Sequence, residues 1–452
     1  MADDLSPLVA DVRLADDPAL AAELAARWPA AGAPRPLSVT DLIDPRRAYW
    51  RRQRGPAPMT PERELRLELG RAWHRRLGDA VADEGQLEVR LRRGGISARV
   101  DLLSDRPVEL KTGAARADTT PAGERPEYLE QLAAYCALLG RPDGRIVHVA
   151  LSEAGPSVSS VDVSYGPVTE LASALERREA GLRAAIAAGD PGPLSRCRWF
   201  GPTCEYRAAG LCDCTGNENV ASDALNAPPV VVSENLEVRQ RWSARLAQLA
   251  APTVGDPERF RDGLYLRRTY FRRTVGGAAG EPSGSRPAAA PLDAYERALA
   301  ALESGPAGEL HRLPTGPHAP DDEVLGWHGA VCLVRGTRAH GRLSVDDVKS
   351  RFPQYLVELG FRAAASRLAR GRLVVSYEAS GPDRLPVQVF DVDLAGSLAT
   401  FDRAWQERRA AVAAAIEHGE PYGLSACPAW MTKGCPYAAS CRCATDAGRP
   451  QR

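Results

Sequence analysis

The chain has 452 residues, 44% hydrophobic and 26% charged, and 58 Lys+Arg balance 58 Asp+Glu to a formal net charge of zero. That is a folded chain with room for two to three domains, and its neutrality excludes bulk attraction to nucleic acid, so such binding needs a local basic groove. No run approaches 18 apolar residues and the acidic start, Met1-Ala-Asp-Asp-Leu, lacks an apolar leader, so a cytoplasmic protein with no membrane span is expected.

In chain order, Thr60-Pro61 predicts a helix start, with proline at the first helical position, and the helix runs to about Ala82 carrying Gly70-Arg-Ala-Trp-His74. Leu87, Val89 and Leu91 alternate with polar residues, Gly94-Gly95 signals a turn, and Ile96, Ala98, Val100 and Leu102 alternate again. The pattern predicts a hairpin with one buried face. Val108 to Lys111 reads as a third strand, Pro126 to Leu139 as a helix, Arg145 to Leu151 as a fourth strand, and 167–188 as a long arginine-rich helix. Mixed in this way, the elements imply a small α/β core.

Self-comparison reveals a tandem duplication. Arg46-Arg-Ala-Tyr-Trp-Arg-Arg52 recurs as Arg267-Arg-Thr-Tyr-Phe-Arg-Arg273, and Pro126-Glu-Tyr-Leu-Glu-Gln-Leu132 as Pro353-Gln-Tyr-Leu-Val-Glu-Leu359. Gly144-Arg-Ile-Val recurs as Gly371-Arg-Leu-Val, and the stretch from Ala185 to Cys197 matches Ala415 to Cys427 without a gap. Preserved order implies two copies of one module. The expected division is 1–215, a linker over 216–235, and 236–452, with a Gly-, Ala-, Ser- and Pro-rich insert, Gly276 to Pro291, as a disordered loop.

Only three lysines occur among the basic residues, and Lys111 stands two residues after Glu109. Strand alternation places Glu109 and Lys111 on one face, opposite Val108 and Leu110. If the preceding strand pairs here, Asp101 brings a second carboxylate to the same end of the sheet. Hard oxygen ligands suit Mg²⁺ or Mn²⁺, and a lysine beside such a cation can orient water and offset charge on a phosphorane. Gln131 and Tyr135 follow at i, i+4 and face one way on their helix.

His74, Asp101, Glu109-Leu-Lys111 and Gln131-Leu-Ala-Ala-Tyr135 resemble the PD-(D/E)XK nuclease superfamily, in its RecB-like branch with the iron–sulfur CRISPR-associated exonucleases, over roughly 36–215. The resemblance implies an α/β fold of two tandem restriction-endonuclease-like modules, each a small mixed sheet flanked by helices with a C-terminal Cys₄ cluster. It implies that His74, Asp101, Glu109 and the Leu110 carbonyl bind the metal, that Lys111 is the catalytic lysine, and that Gln131 and Tyr135 position DNA or active-site groups. The activity implied is that of a Mg²⁺- or Mn²⁺-dependent DNA nuclease, a single-strand-preferring exonuclease acting on DNA that is single-stranded or has a free end, alone or within a larger DNA-processing or defence complex. In copy two, Glu296 aligns with His74, Cys332 with Asp101, Asp347-Val-Lys349 with Glu109-Leu-Lys111, and Glu358 and Arg362 with Gln131 and Tyr135. That copy is expected to be a pseudonuclease.

Eight of the ten cysteines form two quartets, Cys197, Cys204, Cys212 and Cys214, and Cys427, Cys435, Cys441 and Cys443. Four thiols so close together, twice, point to a soft metal centre rather than a disulfide framework. The resembling exonucleases hold a [4Fe–4S] cluster with one early cysteine and three late ones, but here Asp44-Pro-Arg46 stands where the early cysteine is expected. Cys214 and Cys443 then supply the fourth ligand of two [4Fe–4S] clusters, or each quartet holds a structural Zn²⁺. Cys136 and Cys332 read as buried free thiols. The Arg-aromatic runs at 46–52 and 267–273 fit base stacking and phosphate tracking, and equally fit packing. The rival to a nuclease is a non-catalytic nucleic-acid-binding or assembly subunit with structural Cys₄ centres, and an RNase is a further alternative.

Overall fold

The computed structural model describes residues 5–29, 35–55, 73–114, 126–152, 155–197, 204–214, 223–248, 260, 264–275, 289–315, 323–337, 342–377, 386–427 and 437–442. The chain opens with α1 (Ser6–Val9), β1 (Arg13–Asp16) and α2 (Pro18–Ala26). These elements do not belong with the sequence that follows them. Met1–Ala30 join Gly255–Leu302 and Leu313–Arg452 in one compact unit, here the second, while Ala31–Val254 with Glu303–Arg312 form the first. Both are α/β with mixed sheets.

The first unit begins with β2 (Leu37–Ser38), α3 (Val39–Ile43) and α4 (Pro45–Arg54). A capping box starts α3, Ser38 accepting from the Asp41 N–H and Asp41 accepting from that of Ser38. Next come the helix 73–80, here α5, then β3 (Gln86–Arg93), β4 (Ile96–Leu103) and β5 (Pro107–Ala114). The unit continues with α6 (Pro126–Leu139), β6 (Asp143–Ser152), β7 (Gly155–Ser164), α7 (Val168–Ala188), α8 (Glu205–Ala208), β8 (Val231–Glu234) and α9 (Leu236–Leu246). Its sheet runs β9 (Leu310–Arg312), β3, β4, β5, β6, β7, β8, with β5 parallel to β6 and β2 parallel to the start of β4. The crossover α6 explains the parallel pair, since parallel strands need a long connection. One face packs Val89, Val100 and Ile146 against Leu132, Leu171 and Leu182 of α6 and α7. The other packs Val108, Leu110 and Val147 against Leu77 of α5 and Trp242 of α9.

Three expectations change. The hairpin does not keep one buried face: Leu87 and Leu102 join one apolar cluster, Val89, Leu91, Ile96 and Val100 the other. The change of face falls at Glu88, whose φ of +47° breaks the strand's alternation. Residues 231–234, expected in a linker, form β8 on β7, because the β-branched run Val230-Val-Val outweighs the Pro-Pro pair before it. The first unit therefore extends past that boundary through α9, whose Val238, Trp242 and Leu246 are buried in its core. Of the anticipated long helix, 73–80 is seen and the Thr60-Pro61 start lies outside the described residues.

The second unit adds α10 (Leu266–Val275), α11 (Ala289–Glu303), β10 (Leu325–Trp327), β11 (Ala330–Thr337), α12 (Val345–Arg351), α13 (Pro353–Ser366), β12 (Arg370–Tyr377), β13 (Val387–Asp393), α14 (Leu398–His418) and α15 (Ala438–Cys441). Its sheet runs β1, β13, β12, β11, β10, with β11 parallel to β12. The insert expected as a loop to Pro291 gives way to α11 at Ala289, in an alanine-rich stretch of good helix formers, while 276–288 lie outside the described residues.

The units repeat each other in detail. Both α7 and α14 span 21 residues and end at a left-handed glycine, Gly189 and Gly419, each with φ +68°. A Cβ on Gly144 would lie 2.7 Å from Leu132, and one on Gly371 would lie 2.8 Å from Leu359, so helix and strand meet equally closely in both. Tyr49–Trp50 and Tyr270–Phe271 pack edge-on at 5.1 and 5.2 Å. Arg46 donates to the carbonyls of Leu194 and Gly192, and Arg267 to those of Leu424 and Tyr422. At these two arginines the repeated basic runs are packing devices.

Candidate active site

The first unit gathers its candidate residues at one cleft of about 450 Å³, lined by His74, Asp101, Glu109, Leu110, Lys111, Gln131 and Tyr135 together with Arg90 and Arg99. All of the residues expected at the site meet there. His74, on the first described turn of α5, points Nε2 at Asp101 Oδ1, 3.3 Å away. Asp101 Oδ2 accepts the Leu110 N–H at 2.7 Å, which fixes β4 to β5 at the point where both carboxylates enter. Glu109 pairs with Lys111. Lys111 Nζ donates to Gln131 Oε1 at 2.9 Å, Gln131 Nε2 donates to the Tyr135 hydroxyl at 2.7 Å, and the Tyr128 ring lies 5.3 Å from the ammonium.

Sequence reasoning missed Glu88. Its Oε1 lies 3.2 Å from His74 Nδ1 and its Oε2 2.7 Å from Arg99 Nε. The signal was present: counting outward from the Arg93–Ile96 pair beside the Gly94-Gly95 turn puts Glu88 opposite Asp101. His74, Glu88 and Asp101 form one group with the spacing of a metal site.

Electrostatics sets the protonation of this cluster. Burial and the Asp101 charge push Glu109 up to about 7, against the pull of Lys111 and His74. For His74, burial is outweighed by Asp101 and Glu88, which raise it to about 10. Burial likewise fails to lift Asp101, which His74 and Lys111 hold below the usual range. Glu109 is only 1% exposed, and its Oε2 accepts no hydrogen bond. An ionised carboxylate oxygen left so is costly, and a divalent cation is the natural partner for it beside Asp101 and a histidine nitrogen. The donor set fits Mg²⁺ or Mn²⁺.

The second unit corrects the expected alignment. Cys332↔Arg372 and Arg335↔Val375 repeat the register of Val108↔Arg145 and Lys111↔His148. Leu333-Val-Arg335, not Asp347-Val-Lys349, therefore takes the place of Glu109-Leu-Lys111. Asp347 sits at the start of α12 in a capping box with Ser344, an Asp-x-Lys on a helix rather than a strand. Because Leu325↔Cys332 repeats Leu102↔Val108, buried Val324 and not Cys332 stands for Asp101. Glu358 and Arg362 do fall where Gln131 and Tyr135 are: Glu358 pairs with Arg335 and, at 3.1 Å, with Arg362. Arg335 lies over Tyr355 as Lys111 lies over Tyr128. Glu296 lies on α11.

Cys197, Cys204, Cys212 and Cys214 are all buried and cluster together with Tyr206. The Cys197 N–H donates to Cys214 Sγ at 3.3 Å and the Arg47 N–H to Cys197 Sγ at 3.2 Å. Sulfurs that converge and accept backbone N–H groups fit a soft cation held by thiolates. Neighbouring thiols and burial raise Cys204, as expected for a set that needs a cation to ionise. In the second unit Cys427 and Cys441 are buried in the main core, and Cys435 and Cys443 lie outside the described residues. Cys136 and Cys332 are buried free thiols, as expected.

No family model matches this chain, and none of the curated proteins matches it. Among solved structures, one titled "Crystal structure of SSO0001" is similar over 43% of this chain and 95% of its own, at 17% identity with a TM-score of 0.27. No helix of the described residues is long and apolar enough to cross a membrane.

Proposed function

We propose that this chain is a divalent-metal-dependent nuclease of the PD-(D/E)XK type, RecB-like, acting on DNA that is single-stranded or has a free end, with its active site in the first unit alone. The observation that carries the reading is the convergence of Asp101, Glu109, Lys111 and His74 in one cleft, with a buried Glu109 oxygen that accepts no hydrogen bond. His74, Asp101, Glu109 and the Leu110 carbonyl would hold Mg²⁺ or Mn²⁺. When bound, the cation polarises a phosphate oxygen and acidifies water. Lys111, fixed between Glu109 and Gln131, presents a compact positive charge to that water or phosphate. Gln131 is itself held by a hydrogen bond to the Tyr135 hydroxyl, which orients its Oε1 toward the lysine. Arg90 and Arg99 also line the cleft, each paired with a carboxylate, Glu303 at 3.1 Å and Glu88 at 2.7 Å.

The second unit, with Val324 and Leu333 in the places of the carboxylates, is a pseudonuclease. The Cys197–Cys214 centre is structural, as a [4Fe–4S] cluster or as Zn²⁺, and visible absorbance of anaerobically purified protein separates the two.

The test is end-labelled single-stranded DNA with Mn²⁺ or EDTA. Lys111→Ala lowers cleavage about 100-fold or more, the scale of losing one preorganised electrostatic contact, while Arg335→Ala keeps it. Cleavage that persists in Lys111→Ala removes the site, and no cleavage of any DNA or RNA favours a binding or assembly subunit.

A further inference from the structure

We infer that Glu88 is the positioning residue of this site, holding the His74 ring so that Nε2 rather than Nδ1 faces the cation; the inference rests on the metal site proposed above. Three observations carry it. Glu88 is a non-glycine residue at φ +47° inside a strand, a conformation that disfavours side chains and persists where the surroundings impose it. Its backbone turn lies opposite Asp101, where Val89 and Val100 turn toward one core and Leu87 and Leu102 toward the other, so the carboxylate lies behind the cleft, beside His74 and Asp101. There it is 6% exposed and takes both His74 Nδ1 at 3.2 Å and Arg99 Nε at 2.7 Å.

The two nitrogens of an imidazole diverge, and a hydrogen bond to one decides which is left for a metal. With Nδ1–H donated to Glu88, Nε2 is the nitrogen left to exchange its proton for a cation, and it faces Asp101 at 3.3 Å. Arg99 anchors the other oxygen of Glu88, so the carboxylate orients the ring without itself turning to the cation. Glu88 is thus separated from the direct ligands, although it stands within ligand distance of the same group.

The experiment uses the full-length protein, freed of divalent metal, and titrates it with Mn²⁺ in the absence of DNA. Glu88→Gly keeps the left-handed backbone without strain and removes only the side chain. It weakens Mn²⁺ binding about 10- to 100-fold, as loss of an outer partner of a ligating histidine does. Glu88→Gln, which still accepts from Nδ1–H, restores affinity to within about threefold of wild type by the same orienting argument. Selective ¹⁵N-histidine spectra of the Mg²⁺-loaded protein show Nδ1 protonated in wild type. Unchanged affinity in Glu88→Gly overturns the inference, as does Glu88→Gln being as weak as Glu88→Gly, which would make the carboxylate a ligand. Wild-type protein that takes up no Mn²⁺ overturns the metal site itself, a result distinct from either.

Discussion

The first and second units hold the same frame and opposite chemistry at corresponding places. Lys111, Gln131 and Tyr128 on one side match Arg335, Glu358 and Tyr355 on the other, and each cation sits over the matching ring. What differs is the acid. Asp101 and Glu109 are replaced by Val324 and Leu333, which are buried in the apolar core of their unit. The second unit shows that the frame folds without carboxylates at these two strand positions, and its arginine is instead balanced by the buried Glu358. In the first unit the lysine's partner, Glu109, retains an oxygen that accepts nothing, which the frame itself does not require.

The largest expected effect extends the comparison to the thiolate centres. If the frames are alike below the sites, Cys214→Ser and Cys441→Ser each remove a ligand from an equivalent centre, and a closed four-thiolate site is worth on the order of 10 kcal/mol. Calorimetry then shows each variant losing most of the cooperative transition of its own unit. A loss in Cys214→Ser with none in Cys441→Ser would break the parallel and leave the second quartet without a metal centre.

A smaller effect belongs to the first unit alone. His74 is raised from 6.5 to about 10 in the folded protein without metal, so its contribution to stability is complete below about 6.5 and is lost as the pH rises toward 10. Glu109, raised to about 7, acts in the same direction at lower pH, its contribution lost as the pH rises from about 4.5 to 7. In EDTA, the Tm of wild-type protein is expected to fall between pH 6.5 and 9.5 more steeply than that of His74→Asn. Parallel curves would show that the Asp101–His74–Glu88 cluster carries no such coupling.

Much of this was legible in the sequence, and the exceptions have physical reasons. Helix α6 falls where its residue pattern places it, Pro126 to Leu139, and with it Gln131 and Tyr135 at i, i+4. The Gly94-Gly95 turn and the hairpin were clear, but the left-handed Glu88 was not, because nothing in Leu87-Glu-Val89 announces a reversal of faces. Lys349 drew the second copy's alignment to itself because Asp-x-Lys resembles the motif; the repeated Gly371-Arg-Leu-Val, through strand register, points to Arg335. Chemistry-bearing residues misled there, and the small and apolar ones were the better guide. Strand β8 was hidden behind Pro228-Pro229, a turn signal that sits just outside it.

The most direct measurement is Mn²⁺ uptake by metal-free full-length protein, compared between Asp101→Asn and Asp347→Asn. Asp101→Asn binds at least about tenfold more weakly than wild type, having lost a carboxylate ligand on which hard-cation affinity depends, while Asp347→Asn binds as wild type does. Wild-type affinity in Asp101→Asn, or a loss in Asp347→Asn, would contradict a cation site that belongs to the first unit alone.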